Sequence, residues 1–300
     1  MGPQKWVRRS LRNLSLDLKR HGHGVSPPTV GRLLHGEDYS PKANRKSFSG
    51  PRHPDRDRQF RYIARQKAKF LAEGLPVISV DTKKKELVGN FKRPGKAWCR
   101  KAEVVNSHDF RQDAEGIGAP YGIYVVNANR GYVEVGVSAD TPEFAVDVIA
   151  RWWQVCGGVL FPGADRLLIL GDAGGSNGCR PRLWKLRLQE GLADRFGLTV
   201  TVSHYPTGTS KFNPVERQLF SRISSNWEGK PLRSYAVMIA YIRGTKTTTG
   251  LRVQARLNGK KYKTKVKVSD EQMKGLNLQK HKVCPKWNYT IKPRRNTKPS

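Results

Sequence analysis

The chain has 300 residues, is 37% hydrophobic and carries a formal net charge of +32. Its length suits two domains, and 7 Trp, 10 Tyr and 10 Phe supply a real core, so disorder throughout is excluded. No run approaches the roughly 18 apolar residues of a membrane helix, and no apolar run follows the basic start at 1–12, so a secretory signal is not expected.

Cysteines at 99, 156, 179 and 284 form no close pair, which argues against structural zinc and against a disulfide scaffold. Reduced thiols in a cytoplasmic protein are the expectation. Lys and Arg exceed Asp and Glu by 11 over residues 1–75, by 4 over 76–228 and by 17 over 229–300. A near-balanced middle with basic flanks predicts a core held on a polyanion, because phosphate neutralisation supplies most sequence-independent nucleic-acid affinity. No basic helix has a wide apolar face, so a membrane partner is not expected.

In chain order, residues 10–20 read as a helix with Leu11, Leu14, Leu16 and Leu18 as apolar positions. A turn follows at 21–25, with Gly22 and Gly24. Ser26 can cap a second helix with Pro27 in its first turn and Thr29, Val30, Leu33 and Leu34 beyond. Two short helices around a Gly-containing turn make a helix-turn-helix pattern over 1–35, with Arg32 placed to reach a base or a phosphate. Residues 36–57 read as a polar linker, and 60–72 as a basic helix, the two making up a stretch to 75.

The pattern changes at 76. Strands are expected at 77–81, 87–91, 121–126 and 132–137, then a helix at 141–156. A strand at 166–170, a helix at 181–196 closed by Gly197, a strand at 198–202 and a helix at 213–227 follow. Antiparallel strands followed by alternating β and α predict an α/β domain over 76–228, a mixed sheet with helices on both faces and ribonuclease H-like topology. Beyond it, 229–292 reads as a basic α+β extension: a helix at 231–243, a hairpin at 251–268 turning on Asn258-Gly259, and a capped helix at 269–276. Residues 293–300 read as a disordered tail.

Three carboxylates stand out. Asp81 ends the strand PVISVD, and Asp172 follows RLLIL and opens a Gly-rich turn. Ligand sites in such sheets lie beyond the carboxyl ends of parallel strands, so two acids at corresponding ends converge there. Glu216 lies in the first turn of its helix, on the stripe of Phe220, Ile223 and Trp227, and a carboxylate on an apolar face needs a compensating charge. Three acids without thiol or imidazole favour Mg²⁺ or Mn²⁺, and two such ions can serve in-line displacement at phosphorus. Lys83, Asn177 and Lys211 flank these acids and are candidates for DNA contact, as are Ser210 and Asn213. No Gly-Lys-Ser/Thr follows the glycines at 171–178, so ATP use is not expected.

The segments PVISVDTKKKELVGNF (76–91), RLLILGDAGGSNG (166–178) and GTSKFNPVERQLFS (208–221) resemble the DDE motifs of the Rhodopirellula-type transposases, the insertion-sequence group named after Azoarcus. VSPPTVGRLL (25–34), HPDRDRQFRYI (53–63), EFAVDVIARWW (143–153), KVSDEQMKGLNL (267–278) and WNYTIKP (287–293) extend the resemblance along nearly the whole chain. It implies a DDE-type transposase that cleaves element ends with two metal ions and transfers the 3′-hydroxyl ends to target DNA. Asp81, Asp172 and Glu216 are then the catalytic residues and metal ligands, and terminal inverted repeats, target DNA and a second copy of the chain are the partners. The resemblance also implies a chain shortened at its N-terminus, with Ala173 where a glycine is expected. The alternatives are an inactive remnant that only binds DNA, or a ribonuclease H-like nuclease without strand transfer.

Overall fold

The computed structural model describes residues 9–41 and 53–294, which fall in two units divided near Pro51. In the first unit, Ser10 accepts from the Asn13 N–H at 3.2 Å and starts α1 (Leu11–Arg20). Gly22, at φ +89°, makes a turn that a side chain would strain. Ser26 caps α2 (Pro27–Gly36), and Ser15 ties α1 to the turn by donating to the Val25 oxygen at 2.5 Å. Two helices with one buried apolar residue, Val30, match the expected pattern. Half of the linker expected at 36–57 falls on residues 42–52, outside the described ones.

The second unit is built on one mixed sheet. Its strands are β1 (Val77–Thr82), β2 (Glu86–Val88), β3 (Gly116–Val125), β4 (Arg130–Gly136), β5 (Arg166–Asp172), β6 (Thr199–Tyr205), β7 (Arg252–Asn258), β8 (Leu278–Lys280) and β9 (Asn288–Ile291). They lie in the order β7-β4-β3-β1-β5-β6-β9-β8, with β2 on β3. β3 is antiparallel to β1, β4 is antiparallel to β3, and β5 and β6 run parallel to β1. That central order is the expected ribonuclease H-like arrangement.

Alternation along β1 divides the core. Ile78 and Val80 face a cluster with Phe144, Ile149, Trp152, Trp184 and Leu188. Those side chains come from α4 (Pro142–Trp152), which runs through a π-helical turn into α5 (Gly158–Leu160), and from α6 (Arg182–Leu188). On the other face, Val77 packs with Leu168, Leu170, Ile63 and Phe70, the last two from α3 (Arg56–Ala72). Farther along that face a π-helical segment (Val215–Phe220) leads into α7 (Ser221–Asn226), which packs with α8 (Tyr235–Arg243) against β3, β4 and β7. Ser79 and Asp81 share this second face with Val77 by the two-residue period of a strand. Glycine lets the helix settle so close: a Cβ on Gly122 would stand 2.4 Å from the Phe220 ring, and one on Gly131 2.5 Å from Leu219.

The C-terminal residues correct the sequence-based division. They form no appended α+β module: β7 runs parallel to β4 at one side of the sheet, and β9 pairs antiparallel with β6 at the other. The hairpin at 251–268 does not form. Val253 and Ala255 face the core, but Asn258 donates to Glu134 Oε2 at 2.9 Å instead of turning the chain back. Glu134 is fully buried on β4 and also holds Arg151 at 3.1 Å, so a side-chain amide is better used on that anion than in a turn. Past Lys260, only Tyr262 is buried up to Val268, so the stretch has no apolar row to pair. The strand at 87–91 is shorter than expected and pairs with β3. The capped helix at 269–276 appears as α9 (Asp270–Lys274), with a complete capping box on Ser269 and Gln272. Of the expected tail, 295–300 lies outside the described residues, while Arg294 is ion-paired with Asp194 at 2.6 Å.

Candidate active site

Parallel pairing aligns Val80 with Gly171, so one step further Asp81 stands beside Asp172 at the carboxyl ends of β1 and β5. The backbone N–H of Thr82 donates to Asp81 Oδ1 at 2.8 Å. That single bond is outweighed. Burial first, then the Asp172 charge, with smaller pushes from Glu216 and Asp140, raises the Asp81 carboxyl to about 8. Burial raises Asp172 to about 6, against the hydrogen bond from Asn213. Glu216 is also raised, by burial and then by Asp172, with Lys83 opposing. The three predicted acids therefore share one field, and Asp140 is a fourth carboxylate in reach of it. No strand-end or helix-face pattern pointed to Asp140, which precedes the N-cap of α4 in a loop.

The segment carrying Glu216 is fastened to both strands by Asn213. This side chain is fully buried and donates to Asp172 Oδ1 and to the Val80 backbone oxygen, each at 3.2 Å. Its own oxygen accepts from the Ser79 hydroxyl at 2.5 Å. Ser79 in turn accepts from the Val215 N–H at 2.9 Å, and the Glu216 N–H reaches the Asn213 backbone oxygen at 3.1 Å. One Asn and one Ser thus tie β1, β5 and the start of the Glu216 helix together.

Behind Asp172, His204 approaches its backbone oxygen through Nδ1 at 3.0 Å, and its Nε2 lies 3.2 Å from the Tyr289 hydroxyl. A carbonyl only accepts, so Nδ1 carries the proton and Nε2 receives the one from Tyr289. Burial pushes His204 down to about 4, which keeps the ring neutral. Trp184 Nε1 donates to the same Tyr289 hydroxyl at 2.9 Å.

The other candidates divide. Arg32 is exposed on α2 and Lys211 is exposed over the Phe212 ring, as a DNA contact requires. Lys83 is buried, paired with Glu86 at 3.2 Å and stacked 4.8 Å from the Trp227 ring. Its ammonium is committed inside the protein, where burial lowers its pKa. Asn177 is 1% exposed, and its amide nitrogen comes within 2.8 Å of the place of a Cβ on Gly171, so it packs against β5. These two are corrected: flanking an acid in sequence did not bring them to the surface. Ser210 is exposed and Asn213 serves the acids themselves. A cavity of about 970 Å³ bounded by Arg130, Trp152, Val159 and Arg252 lies elsewhere and has no carboxylate lining it.

The donor set suits a hard cation: carboxylate oxygens, raised in pKa by burial and mutual repulsion, gain most from a positive ion between them. Among the described residues, no three His, Cys, Asp or Glu already stand close enough to grip one. The acids fit such an ion by charge and chemistry, and closing on it requires side-chain adjustment.

The family model described as the Rhodopirellula transposase DDE domain matches residues 1–293. The chain belongs to that family. No curated protein matches this DDE-family chain. Among solved structures, it is similar to the Mos1 transposase paired-end complex with left transposon end, at 11% identity and a TM-score of 0.47, over 78% of this chain and 66% of that one. The Mos1 strand transfer complex follows at 13% identity, TM-score 0.46 and coverage of 78% and 65%. The Mos1 mariner paired end complex with Mn gives 12%, 0.45, 78% and 66%. The DDE-family chain thus spans about two-thirds of the length of these chains. Among its described residues no helix is long and apolar enough to cross a membrane.

Proposed function

We propose that this chain is a DNA transposase that cuts DNA at the ends of a mobile element and joins the freed 3′-hydroxyl ends to target DNA, in the cytoplasm and on the nucleoid. Asp81, Asp172 and Glu216 carry the reaction and hold two Mg²⁺ or Mn²⁺ ions. The observation that carries this reading is the alignment of Asp81 beside Asp172 on parallel strands, with the Glu216 segment bonded to both through Asn213. Bound there, the ions would supply Lewis acidity for in-line displacement at phosphorus. The residues do the rest. Asp81 and Asp172 present oxygens on neighbouring strand ends, and Glu216 faces them from its helix. Asn213 keeps Asp172 turned toward that space, and the neutral His204 steadies its backbone. Basic residues on either side of the catalytic sequence neutralise DNA phosphates. Two element ends call for two copies of the chain on one DNA assembly.

The test is Asp172→Asn, which removes a ligand charge and almost no volume. Element-end DNA should bind with unchanged affinity, while Mg²⁺-dependent nicking and joining to a second duplex should vanish. Cleavage at the unaltered rate would sink the metal-site assignment. Wild-type nicking without joining would leave a nuclease.

A further inference from the structure

Immediately past Asp172 the sheet opens into a groove of about 760 Å³ whose floor includes Ala173. One wall is the loop and first turns of α6, bearing Arg180 and Lys185; the other is the C-terminal segment, bearing Lys280 and Lys286. The buried Trp287 and the exposed His53 line it, with ring centroids 4.6 Å apart and planes tilted by 54°. Arg180, Lys280 and Lys286 are exposed, and none has a carboxylate partner among the described residues. Lys185 is turned inward, donating to the Cys179 backbone oxygen at 2.8 Å. Asp55, the one acid lining the groove, is already engaged with Arg58 at 3.8 Å.

Some cations elsewhere in this unit are held by acids, Arg182 by Asp270 and Lys260 by Glu143 and Asp147. Three unspent cations around one cavity, beside a carboxylate at a strand end, make a place for a chain of negative charges. We propose that this groove binds the phosphodiester backbone of a DNA strand running toward Asp172, with Arg180, Lys280 and Lys286 each meeting a phosphate. The proposal rests on the transposase reading above and adds a DNA path within the catalytic unit, separate from the helix pair of the first unit. It brings together residues from two parts of the chain about 100 positions apart, which no local sequence pattern joins.

The experiment compares the full chain with the triple variant Arg180→Gln, Lys280→Gln, Lys286→Gln on a short random-sequence DNA duplex over a series of salt concentrations. All three side chains are exposed, so thermal unfolding should be unchanged. Losing three phosphate contacts should flatten the slope of log K against log salt by about 2–3. In a second arm, lysine acetylation of the wild-type chain is read by mass spectrometry with and without the duplex. Lys280 and Lys286 should be protected, and Lys263 and Lys265 much less. An unchanged slope, or equal protection of all four lysines, overturns the groove. Protection by inorganic phosphate alone as strong as by the duplex also overturns it, since the site would then read a small anion. Neither arm needs cleavage, so the groove and the Asp172 assignment can fail separately.

Discussion

Asn213 donates to Asp172 Oδ1 at 3.2 Å while its other side receives the Ser79 hydroxyl at 2.5 Å, so a single buried amide sets the rotation of one acid and the seat of another's helix. Removing a group that orients a metal ligand typically costs about 10–100-fold in metal affinity. Asn213→Ala should weaken Mn²⁺ binding on that scale, read by electron paramagnetic resonance, with DNA affinity unchanged. Ser79→Ala should weaken it less, because the bonds from Asn213 to Asp172 and Val80 survive. Equal Mn²⁺ affinity in Asn213→Ala and wild type would dismiss the orienting role.

Burial and the neighbouring charges of Asp172, Glu216 and Asp140 work against an ionised Asp81. Asp81→Asn should therefore raise the melting temperature of the metal-free protein. Mg²⁺ should stabilise the wild type, by about 2.7 kcal/mol when present at a hundredfold excess over its dissociation constant. The variant should show little of that gain. A metal-free Asp81→Asn protein that melts below wild type contradicts the electrostatic account.

Gly122 pairs with Asp81 across β1 and β3, and a Cβ there would meet the Phe220 ring at 2.4 Å. That ring belongs to the helical segment that carries Glu216 (Val215–Phe220), so Gly122→Ala must lift the segment or twist the strand. Overpacking of this kind typically costs about 1–3 kcal/mol. Denaturant unfolding should report that loss, and metal-dependent cleavage should fall further than stability explains. Unaltered stability would mean the interface yields freely.

Burial lowers the pKa of His281, whose Nδ1 lies 2.6 Å from the Tyr62 hydroxyl and whose Nε2 lies 2.8 Å from Thr290. The unfolded chain takes up a proton first as pH falls. The stability from this site is therefore present above the ordinary histidine value of about 6.5 and is lost as pH drops through the lower folded value. Melting temperature plotted from pH 8 to 5 should fall more steeply in wild type than in His281→Gln, and parallel curves would refute it.

Arg32 is exposed on α2, where among the described residues it donates to the Thr29 hydroxyl at 3.4 Å. Arg32→Ala should lower affinity for element ends more than for random DNA, by about 1–3 kcal/mol if it meets a base edge. Equal loss on both DNAs would reassign it to the backbone.

Much of this site could be read from the chain because its signals are local. An apolar run ending in Asp marks each strand end, and the i, i+4 and i+7 spacing places Glu216 on the stripe of its aromatic neighbours. Ser10, Ser26 and Ser269 announce their helices through hydrogen bonds three residues long. What escaped depends on distant partners. Asn258-Gly259 has every mark of a turn, yet Glu134, 124 residues earlier, claims the Asn. Lys83 and Asn177 look like surface residues until Trp227 and β5 cover them. Asn213 stands at the start of the helix expected at 213–227, and its bonds to Asp172 and Val80 appear only once three segments meet.

β7 and β9 close opposite sides of a sheet whose centre is made much earlier in the chain. During synthesis, β4 and β6 must wait as bare edges, open to pairing with other chains, until residues 252–258 and 288–291 emerge. His204 likewise waits for Tyr289. A stop codon falling late in the gene therefore does more than trim a tail. It removes the strand that shields β6, next to the one carrying Asp172, and leaves a bare sheet edge open to pairing with other chains.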